Sequence, residues 1–187
     1  PAAWQQPPTQ PVHGDDTILI HQVFSPQIPW PLSESDIPVQ LIHAQDGNPL
    51  YLINIEGIEL YCFEITTWEE SATSRYSPRR FVVATHFEGV EITNPLVLLH
   101  SNYITKGFPS FGIDEDEMPT MQISIPISQQ IPLEILRNQL LVAIGILAEE
   151  AADFWQSISG ADDSPNTGNV ALAVGSLLGG IARGFLG

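Results

Sequence analysis

The chain has 187 residues, with 22 acidic and six basic side chains and a formal net charge of −16. A surface this acidic repels phosphate backbones and anionic headgroups, which excludes nucleic-acid binding and favours solubility and partners of opposite charge. Cys62 is the only cysteine, which excludes an intramolecular disulfide and a cysteine-based metal site.

The apolar content of 43% suffices for one packed domain with appendages. The residues given open on Pro1, so either a removed leader or numbering from a processed end is expected, and no signal peptide is visible in them. A lone cysteine within an apolar run reads as a buried, inert thiol. A cytoplasmic or membrane-peripheral location is expected in preference to secretion.

Residues 1–16 are rich in proline and glutamine and lack an apolar period, so they read as an extended arm. Trp4 is the one large apolar side chain there and the candidate anchor of that arm on a neighbouring subunit. The domain is expected to span residues 17–160. Its first strand is read at 17–24, where β-branched residues cluster, followed by a proline-punctuated loop around Trp30. Strands at 37–44 and 50–55 flank Asp46-Gly47, a hairpin signal because a type I′ turn needs positive φ at both central residues. A strand at 58–68 follows, then a polar loop, then one at 81–87 opened by Arg79 and Arg80. Those two arginines read as strand-edge partners for carboxylates or as a grip on a partner's acidic group. Residues 96–104 read as another strand, 107–120 as a loop carrying four consecutive acids, and 121–127 as an edge strand because of Pro126. The stretch Ile55-Glu56-Gly57-Ile58-Glu59-Leu60 resembles Phe87-Glu88-Gly89-Val90-Glu91-Ile92, and each glycine implies a tight turn or a bulge.

Residues 131–159 form the organising element. Leu133, Leu136, Leu140, Ala143, Leu147, Ala151, Phe154 and Ile158 recur at helical spacing, and Pro132 suits a first turn. Residues 140–148 are apolar on every side, so this helix is expected to be buried on more than one face, with Leu140 and Ile144 at the centre. About seven strands followed by one long helix define an α+β class, an antiparallel sheet with a core helix on one face. A β-sandwich or barrel with appended helices is the alternative.

A linker is expected at 161–168, then an apolar tail helix at 169–187 capped by Asn169. Val170, Val174, Leu177, Leu178, Ile181 and Phe185 form its stripe, and Gly175 and Gly179 form a small-residue face suited to close helix contact. The tail could pack on its own core or a sister subunit, touch a membrane, or dock as a peptide. In that last sense Leu172-Ala173-Val174-Gly175-Ser176-Leu177 resembles the short C-terminal peptides that load cargo into encapsulin shells, which implies docking to a protein shell.

No phosphate loop or nucleophile elbow is present. The five histidines, His13, His21, His43, His86 and His100, are dispersed and read as structural, so no catalytic residue, metal or cofactor is assigned. The expected function is a non-enzymatic assembly protein. Its arm and tail would fasten it to copies of itself, a larger complex or a membrane. A small-ligand-binding domain with an apolar pocket between sheet and helix is the second reading. An enzyme is the third, and it requires histidines and Arg79 or Arg80 to converge on one cleft.

Overall fold

The computed structural model describes residues 19–25, 30–44, 48–65, 79–90, 98, 102, 109–114, 117–127, 131–159 and 166–185. The elements are α1 (Leu19–Val23), α2 (Pro31–Glu34), β1 (Val39–His43), β2 (Pro49–Ile55), β3 (Ile58–Ile65), β4 (Arg80–His86), β5 (Ser110–Ile113), β6 (Pro119–Pro126), α3 (Leu133–Ser159) and α4 (Thr167–Phe185). The six strands make one antiparallel sheet in the order β1-β2-β3-β4-β6-β5, and the class is α+β.

Local chemistry explains the turns. The β1–β2 hairpin flanks Asp46-Gly47, and Ala44 N–H donates to the Asn48 carbonyl at 2.9 Å. Glu56 and Gly57 have φ of 51° and 91°, so the β2–β3 connection is a two-residue turn of the I′ kind, with Gly57 N–H donating to Asn54 Oδ1 at 3.0 Å. The second Glu-Gly pair ends β4. Gly89 has φ 75°, and Val90 N–H donates to the Phe87 carbonyl at 3.3 Å. Both glycines of the sequence echo therefore sit in tight turns, at one end of the sheet because β3 and β4 run antiparallel.

The strand count differs from the sequence expectation in three places. Residues 19–23 form α1 and not a strand. Ile20 and Val23 turn inward three residues apart and are fully buried. Glu64 accepts the Ile20 N–H at 3.0 Å. At the other end Arg137 donates from Nε to the Val23 carbonyl at 3.1 Å and from Nη2 to the Gln22 carbonyl at 2.7 Å. Two side chains far along the sequence thus satisfy both ends of one helical turn, overriding local β propensity. Residues 96–104 do not give a described strand, and both residues described there, Leu98 and Asn102, are helical. Conversely, Ser110–Ile113 pairs with β6 where a loop was expected. Asp114 and Glu117 of the acidic run lie between β5 and β6, with Glu117 at φ 61° and Met118 N–H donating to Asp114 Oδ1 at 2.8 Å, and the two acids between them lie outside the described residues. β6 is accordingly not an edge strand. Pro126 is tolerated because β5 pairs only with Pro119–Gln122, leaving the last residues of β6 unpaired on that side.

One sheet face carries the core. Ile53, Leu60, Cys62, Phe81, Val83, Met121 and Ile123 meet Leu136, Leu140, Ile144, Leu147 and Ala151 of α3. Each large side chain removed from water in this way contributes about 1.5–3 kcal/mol before entropy costs. α4 starts earlier than expected: its N-terminal cap is Asn166, whose Oδ1 accepts the Asn169 N–H at 3.2 Å. α4 packs against α3 and also reaches α2 and β2, so it shares the helix layer and does not form a third one. Side chains are described to Ser157 in α3 and to Gly179 in α4.

Candidate interaction surfaces

The helix pair takes up several residues singled out as attachment points. Leu140 and Ile144 are fully buried, and Val174 and Leu177 are 1% and 2% exposed within the same core. Leu178 is half-buried against it. The close approach between the helices is made by Gly145: a Cβ there would lie 2.9 Å from Val174 Cγ1. Gly175 and Gly179, expected to make that approach, have nothing within 4 Å of such a position. Leu172 stands 75% exposed near Gly175. Ile181 and Phe185 lie in α4, but their side chains are outside the described residues, as is all of Trp4.

Arg79 is held by Glu64, whose side chain is 2% exposed. The same carboxylate caps α1, so this ion pair joins the start of α1, the end of β3 and the entry to β4. Arg80 is exposed on β4 opposite Pro126.

The described histidines do not converge. His21 Nδ1 lies 2.8 Å from Tyr51 Oη, beside the stacked rings of Tyr51 and Phe24. His43 is exposed on β1. His86 Nδ1 lies 2.9 Å from Asp114 Oδ2, edge-on to Tyr61. His86 lines a cleft of about 250 Å³ with Glu59, Tyr61, Thr85, Glu88 and Trp155. Burial raises the Tyr61 phenol above its ordinary value, and neighbouring Glu59 and Glu88 raise it further. Asp114 orients the imidazole, which is part of what proton transfer needs. Arg79 and Arg80 stand at the opposite end of β4, roughly 20 Å away by strand rise, so no arginine joins the cleft. Among the described residues no group of three His, Cys, Asp or Glu side chains could hold a metal.

A larger cleft, about 810 Å³, lies at the sheet margin between α2, the end of β2 and α4. Trp30, Ile37, Ile55 and Leu177 are among its apolar lining, and Glu34, Asp36 and Glu56 among its polar lining.

The two edges of the sheet are treated differently. At β5 the Asn102 side chain lies alongside Phe111, donating from Nδ2 to its carbonyl at 3.0 Å and accepting its N–H at Oδ1. That amide satisfies the outward-facing backbone groups of Phe111. At β1 nothing comparable occurs. Asn54 N–H donates to the Pro38 carbonyl and Ala44 N–H to the Asn48 carbonyl. Antiparallel pairs alternate, so residues 38, 40, 42 and 44 bond inward to β2. The N–H and C=O groups of Val39, Leu41 and His43 then point to the open side, where no partner is found among the described residues. The helix layer stops short of this strand, leaving the Val39 and Leu41 side chains 39% and 44% exposed. No charged side chain interrupts Val39–His43. Natural edge strands are usually short, charged, bulged or covered, and this one has only shortness.

Comparison with protein families, with curated proteins and with solved structures gives no match. The functional reading therefore rests on these surfaces.

Proposed function

We propose that this is a non-enzymatic assembly protein that associates with copies of itself. The observation carrying this reading is the uncharged β1 strand, whose outer backbone groups have no partner among the described residues, in a chain whose other edge strand has Phe111 held by Asn102.

The sequence places attachment on the N-terminal arm, which lies outside the described residues, and on the tail. Burial of Val174 and Leu177 against α3 moves the emphasis to the sheet edge, because the apolar stripe the tail would offer a shell, a membrane or a sister subunit is largely taken up within the chain. No described helix is long and apolar enough to cross a membrane. The ligand-binding alternative is left with the marginal cleft, since side chains fill the contact between sheet and α3.

Light scattering on the full chain over a range of concentrations tests the reading. A mass rising to a multiple of the chain mass is expected. A monomer at every concentration overturns it.

A further inference from the structure

We infer that the cleft beside His86 binds a small primary ammonium, with the Thr85 hydroxyl and the Glu59 and Glu88 carboxylates as its acceptors and the Tyr61 and Trp155 rings as its walls. The site is built within one chain, so it stands independently of the assembly reading.

The cleft exists because two paired strands part. β3 and β4 pair from Ile65↔Arg80 to Tyr61↔Ala84 and no further. β3 nevertheless continues along β2 to Ile58, and β4 continues along β6 to His86. The opening between them is lined by Glu59 and Tyr61 of β3, Thr85 and His86 of β4, Glu88 of the turn after β4 and Trp155 of α3. Its volume of about 250 Å³ lies below the range of drug-sized sites, so the ligand it takes is small.

Thr85 points to that ligand. It is 2% exposed, and the described residues supply no hydrogen bond to its hydroxyl. No sealed polar side-chain atom among them is left without a partner, so this hydroxyl is not sealed and opens onto the cleft it lines. A hydroxyl so nearly enclosed calls for a partner.

The surroundings select a cation with N–H groups. Glu59 Oε2 accepts the Tyr61 hydroxyl at 3.4 Å and keeps further acceptor capacity, as does Glu88. Both carboxylates act on Tyr61, whose phenol they raise beyond the effect of burial. His86, the one lining side chain that can carry positive charge, is held by Asp114. The described arginines stand far off: Arg79 and Arg80 at the other end of β4, and Arg137 roughly 27 Å from Trp155 by helix rise along α3. Aromatic rings beside the carboxylates add the attraction of a π face for an ammonium.

Calorimetry on the full chain in about 0.15 M salt, which screens the general attraction of cations to this acidic molecule, tests the site. The probes are n-propylammonium, neutral n-propanol and tetramethylammonium, a cation without N–H groups. One saturable site for n-propylammonium is expected, with the other two at least about tenfold weaker because they lack the charge or the donors. Thr85→Val keeps the shape and should weaken n-propylammonium about tenfold, with the melting temperature unchanged or higher because no bond within the chain is lost. Glu88→Gln, on an exposed side chain, should weaken it roughly threefold. Equal binding of n-propanol or tetramethylammonium overturns the inference, as does binding that ignores both substitutions, which marks loose counterion attraction. A clear fall in the melting temperature of Thr85→Val also overturns it, since the hydroxyl then serves the fold. So does a chain that takes up no n-propylammonium. The assembly reading survives each of these results.

Discussion

Asn102 stands beside Phe111 as a neighbouring strand would, with one amide donating to the Phe111 carbonyl and accepting from its N–H. The two residues are nine positions apart, and the clamp occupies the middle of the β5 edge. Replacing Asn102 with Leu leaves a donor and an acceptor unpaired in a partly buried place. A loss of about 1–3 kcal/mol is expected. Urea unfolding measures it, and light scattering should reveal further association once the Phe111 backbone groups are exposed. A variant as stable and as well dispersed as the parent would show that the clamp has no such role.

The glycines of the helix pair should behave oppositely. Alanine at Gly145 meets Val174, and such overpacking costs about 1–3 kcal/mol, part of it offset by better helix propensity. The same change at Gly175 meets nothing and should stabilise by about 0.5–1 kcal/mol. Thermal unfolding of the two variants side by side reads the difference. Equal effects would contradict the close approach at Gly145.

Arg79 and Glu64 make the buried ion pair that ties α1 to the sheet. Removing one partner strands a charge, so Arg79→Met should lose about 3–5 kcal/mol. Glu64→Gln combined with Arg79→Met should recover part of the loss, since no uncompensated carboxylate remains and an amide oxygen can still accept the Ile20 N–H. Denaturant midpoints of the single and double variants check this. A double variant worse than the single one would refute it.

Glu150 has its carboxyl raised above the ordinary range, chiefly by burial and further by Asp153 and Glu149. In the folded chain the ionised form is disfavoured. Stability is therefore full below the ordinary carboxylate range and falls as pH rises through the raised value. Glu150→Gln should stabilise the protein at pH 7 by about a few tenths of a kcal/mol, since it removes both the burial cost of the charge and the repulsion from Asp153 and Glu149, and solvent screening at this partly exposed site keeps the gain small. The gain should vanish once both states are protonated. Melting temperatures across pH 3–8 test the sign.

Cys62 is fully buried on β3, and burial pushes its thiol up well beyond the ordinary value. The native chain should resist thiol reagents at pH 8 and react on unfolding. The unfolded thiol ionises first on the alkaline side, so stability should fall by about 1.4 kcal/mol per pH unit above the free-thiol range. Cys62→Ala should lose that alkaline slope, measured as the difference between the two unfolding curves.

The sequence alone determined the elements whose signals are local. Periodicity sets α3, because apolar residues at spacings of three and four can share a face only on a helix. Alternation and glycine turns set β2, β3 and β4, since Glu56-Gly57 meets the positive φ that its turn requires. Net charge is likewise a property of composition. Tertiary structure decided whatever depends on distant partners. Residues 19–23 are helical because Glu64 and Arg137 satisfy their ends. β5 is a strand because β6 and Asn102 pair its backbone. Val170, Val174 and Leu177 of the tail's stripe lie inward, with Gly145 leaving room for Val174. Above all, the outer side of β1, which has no backbone partner among the described residues, could not be read locally. Whether a strand's outer amides are bonded or bare depends on what lies beside it in space, and here β1 has β2 on one side and the helix layer ends before it.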